Sequence, residues 1–164
     1  MRSAEGLAAA QRAVDLDPEN ILAHFALAYS LYFQGRFEES VAIGEGALGM
    51  FGRNPLFMTF LALAYADWGK SAEAKSVYAE LLARAAREYV SPTVLATSAA
   101  AVGERDEAMQ YAREAYAIRD PQLNHMVKHW PGAKRLREDS RFTEILASMG
   151  SEMSGQGRPG VPVP

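Results

Sequence analysis

The sequence predicts an all-α fold, a helical solenoid of about three and a half helix-turn-helix repeats that is closed by a C-terminal capping helix. The first observation is a period of 34 residues, marked by Gly35, Gly69 and Gly103, with a Leu-Ala pair eight residues before each glycine. The second is that apolar residues recur at helical spacing, while no stretch shows the period-two alternation of a half-buried strand. A period of this length is typical of stacked helical hairpins, in which each unit buries its apolar face against its neighbours.

Each repeat begins with a helix that ends at the shared glycine. In the first full repeat, Leu27 and Leu31 lie on one apolar stripe, and Gly35 follows them. Glycine ends a helix at low cost because it enters the left-handed conformation without a steric penalty. The sequence therefore predicts a first helix and then a tight turn in every repeat.

A second helix follows each glycine. Its apolar spacing is clearest in the second repeat, at Ala74, Val77 and Leu81. Acidic residues cluster at the start of each second helix, where the positive end of the helix dipole favours negative charge. We therefore assign these acids to helix stability and not to catalysis.

The repeat register sets the domain boundaries. We expect one solenoid over 1–150 and a disordered tail over 151–164, because the tail is rich in Gly, Pro and Ser. The expected parts of the solenoid are a half repeat over 3–18, repeats near 21–54, 55–88 and 89–120, and a capping segment over 121–150. In the third repeat Ser91 precedes Pro92, the typical order of an N-cap and a first-turn proline, so its first helix is expected to start late.

The repeat pattern resembles that of the tetratricopeptide repeat family. The resemblance covers roughly residues 4–120 and rests on the period, on the Leu-Ala pairs, and on small residues at Ser40, Ala74 and Ala108. The departures from the family pattern are Gly44 and Ala112 at the second-helix aromatic that Tyr78 keeps, and Gly52 and Ala86 at the closing proline. The resemblance implies a protein-interaction role, in which the first helices of successive repeats line a concave groove.

The C-terminal segment resembles the closing part of bacterial tetratricopeptide arrays fused behind adenylate/guanylate cyclase, winged-helix or TolB-like domains. The residues that carry this resemblance are Arg119-Asp120-Pro121, Leu136-Arg137, Asp139, Arg141-Phe142 and Ile145-Leu146. Phe142, Ile145 and Met149 have the spacing of an apolar helical stripe, which predicts a helix that covers the open end of the last repeat. The resemblance implies the regulatory or scaffolding C-terminal part of a bacterial signalling or transcription protein.

The stretch VAIGEGALG places Gly44, Gly46 and Gly49 in the GxGxxG spacing of dinucleotide-binding proteins. That motif binds a dinucleotide only as the turn between a strand and a helix. Here the glycines fall inside a predicted second helix, where they allow close packing or weaken the helix. We therefore expect no cofactor.

Composition argues against several classes of function. The net charge of −3 and the absence of a basic block disfavour nucleic acid, and no apolar run reaches the roughly 20 residues needed to span a membrane. The N-terminus lacks the apolar centre of a signal peptide, so we expect a cytoplasmic protein. His125 and His129 are four residues apart but have no third ligand nearby, so we expect no metal. With no residue in a recognisable nucleophile context, we predict that the protein is not an enzyme.

We expect a peptide or helix of a partner protein to bind in the concave groove. The residues predicted to line that groove are Leu22, Phe25, Tyr29, Tyr32, Phe33, Thr59, Leu63, Asp67, Thr93 and Thr97. Aromatic residues at one end and polar residues at the other suit an extended or helical peptide with an apolar anchor. The alternative, of equal weight, is that these residues are core or are covered by the chain's own C-terminal segment.

The N-terminal helix carries an apolar face with no predicted partner. Leu7, Ala10 and Val14 would normally meet the first helix of the same repeat, which the chain does not contain. Because solenoid ends require a polar cap, we expect either a longer protein or a homodimer through this helix. The second function hypothesis is therefore a self-associating structural module with no separate ligand.

Overall fold

The computed structural model describes residues 2–130 and 132–153, with the backbone alone for 2–4, 126–129 and 150–153. Within these ranges the chain forms ten α-helices and no strand, so the all-α prediction is confirmed there. The helices are α1 (Arg2–Leu16), α2 (Ile21–Phe33), α3 (Phe37–Phe51), α4 (Pro55–Asp67), α5 (Ser71–Ala85), α6 (Pro92–Val102), α7 (Arg105–Ala117), α8 (Pro121–His129), α9 (Ala133–Arg137) and α10 (Ser140–Met153). None of the helices in the described ranges is long and apolar enough to cross a membrane.

The chain divides into two compact units. The first contains α1 to α5 and Ala101–Gly103, and the second contains Ser91–Ala100 and the chain from Glu104 onward. In the first unit each helix packs against the next, from α1 on α2 through to α4 on α5. In the second unit α7 contacts α8 and α10, while α9 contacts α8 and α10.

The helix boundaries reproduce the 34-residue register. The second helices α3, α5 and α7 start at Phe37, Ser71 and Arg105, each 34 residues after the one before. Gly35, Gly69 and Gly103 follow the ends of α2, α4 and α6 with φ of +72°, +83° and +88°. The predicted order of helix, left-handed glycine and helix is therefore confirmed at all three positions.

Asparagine side chains start the first helices of the first two repeats. The Asn20 carboxamide oxygen accepts from the backbone N–H groups of Leu22 and Ala23 at 3.0 and 3.2 Å, and Asn54 accepts from that of Leu56 at 2.9 Å. An N-cap of this kind satisfies donors that have no partner within the helix. The start of α2 and the start of α4 are thus determined by the local sequence.

The first helix of the third repeat starts late, as expected, but its cap differs from the prediction. Helix α6 begins at Pro92 and has 11 residues, against 13 for α2 and for α4. The Ser91 hydroxyl donates to the Asp120 carboxylate instead of capping the helix. Asp120 Oδ2 accepts from the Thr93 N–H at 3.3 Å and from the Thr93 hydroxyl at 2.8 Å, so the cap comes from the connection between α7 and α8.

The glycines of the GxGxxG stretch lie inside α3, as predicted. A Cβ atom built on Gly44 would approach Leu61 Cδ2 of α4 to 2.8 Å, whereas Gly46 and Gly49 have nothing within 4 Å of that position. Leu61 is fully buried, so Gly44 allows α3 and α4 to pack closely. One of the three glycines therefore has a clear packing role.

The N-terminal face that was expected to lack a partner is packed within the first unit. Ala10 is buried with Leu27 and Leu31 of α2, and Leu7 and Val14 pack against the same cluster. The expectation of an unpartnered face at these residues is therefore wrong. They are neighbours of α2 because the stripe that α1 presents is complementary to the stripe on the next helix.

The residues that carry the C-terminal resemblance hold the second unit together. Phe142 and Ile145 of α10 are buried, and α10 packs against α7 and α9. Arg141 donates to both Asp139 oxygens, at 3.0 and 2.8 Å, and to Asp106 of α7 at 2.7 Å. The bonds from Arg141 lower the pKa of Asp139 to about 2. Helix α10 ends at Met153, and residues 154–164, which make up most of the predicted disordered tail, lie outside the described residues.

Candidate functional site

One side of α2 carries a row of large apolar side chains that we call the aromatic face. Its members are Leu22, Phe25, Tyr29, Tyr32 and Phe33. They recur every three or four residues and so share one side of the helix. The other side of α2 is buried through Leu27, Ala28 and Leu31, and this side holds the helix in the first unit.

Buried rings of α4 support the aromatic face from below. Phe25 packs edge to face on Phe57 with ring centroids 4.8 Å apart, and Tyr29 lies 5.8 Å from Phe60. Both phenylalanines of α4 are buried. Edge-to-face pairs of this kind add to the stabilisation that burial provides. Phe25 and Tyr29 of α2 therefore pack on buried rings of α4.

The ends of the aromatic face are open to solvent. Leu22 is 74% exposed and Phe33 is 58% exposed. Phe25, Tyr29 and Tyr32 between them are partly buried. Tyr29 and Phe33 meet edge to face, with centroids 4.7 Å apart. The exposed apolar area of the aromatic face is therefore concentrated at its two ends, Leu22 and Phe33.

The Asp67 carboxylate adds polarity at one end of the aromatic face. The Tyr32 hydroxyl donates to Asp67 Oδ2, and Asp67 is exposed at the end of α4. Burial raises the pKa of Tyr29 to about 12, so this phenol stays neutral at physiological pH. The Tyr32 hydroxyl thus connects the aromatic face to a carboxylate of α4 near the C-terminal end of α2.

The other residues predicted for the groove lie in the interior. The buried residues are Thr59 and Leu63 of α4, and Thr93 and Thr97 of α6. The hydroxyl of Thr59 donates to the Pro55 carbonyl at 3.0 Å, and that of Thr97 to the Thr93 carbonyl at 2.9 Å. The structure thus brings Leu22, Phe25, Tyr29, Tyr32, Phe33 and Asp67 together and leaves the other four away from solvent.

The prediction missed the base of the site. Phe37 of α3 and Phe57 of α4 were not among the expected groove residues, yet Phe37 lies 5.6 Å from Tyr32 between ring centroids. The signal was present in FMTFLALA, residues 57–64, which is apolar or uncharged at every position and entirely buried. A helix that is apolar on all sides belongs to the core.

The histidine pair shows no metal site within the described side chains. His125 is exposed, and the side chain of His129 lies outside the described set. Among the described residues no cluster of three or more acids and histidines could hold a metal ion.

No family model matches the chain, and no curated protein matches it significantly.

Proposed function

We propose that this chain is a tetratricopeptide-type interaction module that binds a peptide or helix of another protein on the aromatic face of α2. The observation that supports this most directly is the row of ordered rings with exposed ends at Leu22 and Phe33. The proposal includes the absence of enzymatic activity and of a cofactor, and a cytoplasmic location. We place the module in the C-terminal regulatory or scaffolding part of a bacterial signalling or transcription protein.

The proposal rests on how the binding free energy is distributed in protein interfaces. A few aromatic residues usually contribute most of the binding free energy, because large rigid side chains exclude water without losing much conformational freedom. Phe25 and Tyr29 stack at 5.7 Å between centroids, and their backs rest on buried rings of α4. A ligand with an apolar side chain can therefore dock against the exposed side chains of Leu22 and Phe33, which flank these packed rings.

The test removes the exposed anchors and leaves the core in place. We expect Leu22→Ala with Phe33→Ala to weaken binding of peptides selected from a displayed library by about tenfold or more. Binding is measured by fluorescence anisotropy, and circular dichroism checks that the variant stays folded.

The matched control is Leu16→Ala with Met50→Ala, which truncates two exposed apolar residues on α1 and α3. This control should bind the selected peptides as the parent chain does. Equal affinity of the anchor variant and the parent would refute a binding role for the aromatic face.

The second hypothesis is self-association through the N-terminal helix, and no contact in the structure supports it. Leu7 and Val14 pack against the Leu27 and Leu31 cluster, so glutamate at these positions would disturb α1 and α2 within one chain. A loss of oligomers in such a variant would not distinguish a broken interface from a broken fold.

A further inference from the structure

A cavity of about 520 Å³ lies in the crevice between α1 and α3, on the other side of α2 from the aromatic face. We call this the first crevice. Its lining includes Leu7 and Gln11 of α1, Leu27 and Leu31 of α2, and Ile43 of α3. Small-molecule sites have volumes of roughly 300–1,000 Å³ and are mostly apolar with a few polar groups. The first crevice therefore has the size and the lining of a small-ligand site.

The next repeat shows what stands at the equivalent place. In the 34-residue register, Tyr65 of α4 corresponds to Leu31 and Glu45 of α3 corresponds to Gln11. The Tyr65 hydroxyl donates to Glu45 Oε1 at 3.1 Å. Burial, and then the charges of Glu45 and of Glu73 on α5, raise the pKa of Tyr65 to about 12, so the phenol lies near both α3 and α5. The crevice between α3 and α5, the second crevice, thus contains a phenol of the chain itself.

The first crevice offers the acceptor for a phenol but not the ring. Gln11 Nε2 donates to Asp15 at 3.0 Å, which leaves the carbonyl oxygen of Gln11 to accept a hydrogen bond. Leucine at position 31 supplies neither a ring nor a hydroxyl. We propose that the first crevice binds a small phenol, whose ring packs on Leu27 and Leu31 and whose hydroxyl donates to Gln11.

The charges beside the cavity favour a neutral ligand. Arg36 and Glu39 contribute to the lining, and they pair with each other, with Arg36 Nε and Nη2 donating to the two Glu39 oxygens at 2.7 and 2.5 Å. Each charge therefore has an opposite charge in contact with it. A phenol is uncharged at pH 7 because its pKa is about 10. The site goes beyond the proposed function and does not depend on a peptide at the aromatic face.

The probe is p-cresol, which is the tyrosine side chain as a free molecule. In methyl NMR spectra of the full-length chain, titrated with p-cresol to about 10 mM, we expect shifts at the lining residues Leu7, Leu27, Leu31 and Ile43. Shifts confined to methyl groups outside the lining, or no shift at all, would overturn the inference.

Two reciprocal substitutions test the correspondence between the crevices. Leu31→Tyr should abolish p-cresol binding, because a phenol of the chain then stands in the first crevice. Tyr65→Leu should create a second p-cresol site, detected as new shifts at Leu61 and Val77, the counterparts of Leu27 and Ile43. Circular dichroism checks that both variants fold. A folded Leu31→Tyr variant that binds p-cresol as the parent does, or a folded Tyr65→Leu variant without a second site, would contradict the proposal.

The hydrogen bond is tested at an exposed residue, where a substitution leaves the fold in place. Gln11→Ala should weaken p-cresol binding about fivefold, the effect of one hydrogen bond, and should leave the affinity for toluene unchanged. The control is Arg12→Ala, at the next exposed residue of α1, which should alter neither affinity. Unchanged p-cresol affinity in Gln11→Ala would overturn the phenol as the ligand. Binding of a tyrosine-containing peptide in the first crevice without binding of p-cresol would overturn the free molecule as its source.

Discussion

The closeness of α3 and α4 depends on one residue without a side chain. Alanine is favoured over glycine in a helix by about 1 kcal/mol, but at Gly44 its Cβ would overlap fully buried Leu61. Overpacking a core costs about 1–3 kcal/mol, so we expect Gly44→Ala to lower the free energy of unfolding by about 1 kcal/mol. Gly46→Ala, with open space at its Cβ, should raise it by about 0.5–1 kcal/mol. Urea denaturation of both variants measures these changes in the free energy of unfolding. If both variants are more stable than the parent, the contact between residue 44 and Leu61 is not tight.

Leu61 provides the reciprocal test of the same contact. Truncation of this buried side chain in Leu61→Ala should cost about 2–5 kcal/mol, since it removes apolar contacts and leaves a cavity. The truncation removes Cγ and Cδ2 of Leu61, the two atoms that a Cβ on Gly44 would approach most closely. Gly44→Ala should therefore become stabilising in the Leu61→Ala background. A double-mutant cycle measures this change of sign, and simple additivity of the two substitutions would contradict the packing account.

At the scale of helices, Asp120 holds two N-termini at once. Its Oδ2 accepts from Thr93 of α6, and its Oδ1 accepts from the Gln122 N–H of α8 at 2.9 Å. Burial alone would raise the pKa of Asp120, but the hydrogen bonds from Ser91, Gln122 and Thr93 outweigh burial, so the pKa lies below its ordinary value. The carboxylate is therefore a shared cap whose charge strengthens its bonds.

The expected result for Asp120→Asn is a loss of about 1.5–3 kcal/mol at pH 7, the range for hydrogen bonds to a charged group. Because the folded pKa is lowered, the stabilisation is complete above the unfolded value of about 4 and is lost as pH falls through the folded pKa. The difference between parent and variant should thus shrink in urea titrations carried out below pH 4. Asp15→Asn, at an exposed acid of α1, should change stability little at pH 7. A difference for Asp120→Asn that is constant with pH would exclude the charged cap.

For the whole molecule, the C-terminal helix decides whether apolar surface of the second unit is covered. Phe142 and Ile145 of α10 are buried, and α10 contacts α7 and α9. A chain that ends after Glu138 should lower the thermal midpoint, bind a hydrophobic dye and aggregate, because it exposes the surface that these side chains cover. A chain that ends after Met153 should melt as the parent does. If both truncations behave alike, α10 has no covering role.

Much of the fold was readable because it depends on local chemistry. The period of Gly35, Gly69 and Gly103 predicted where helices end, since a left-handed residue is least costly at glycine. The Ser91-Pro92 pair predicted the late start of α6, since proline suits the first turn of a helix. Of the candidate site, helical spacing alone placed Leu22, Tyr29 and Phe33 on one side of α2.

Tertiary structure determined the contacts between distant residues and the burial of individual side chains, neither of which follows from helical spacing in the sequence. Asp120 caps the N-terminus of α6 although it lies 27 residues after Thr93 in the sequence. No local sequence pattern links these two residues. Thr59 and Leu63 share a predicted groove with Tyr29 in the repeat register, yet they are buried because α4 is apolar on all its sides. Leu7 and Val14 pack against Leu27 and Leu31 of α2, which the sequence did not predict. A helical pattern shows which residues share a face, but only tertiary packing determines which element that face contacts.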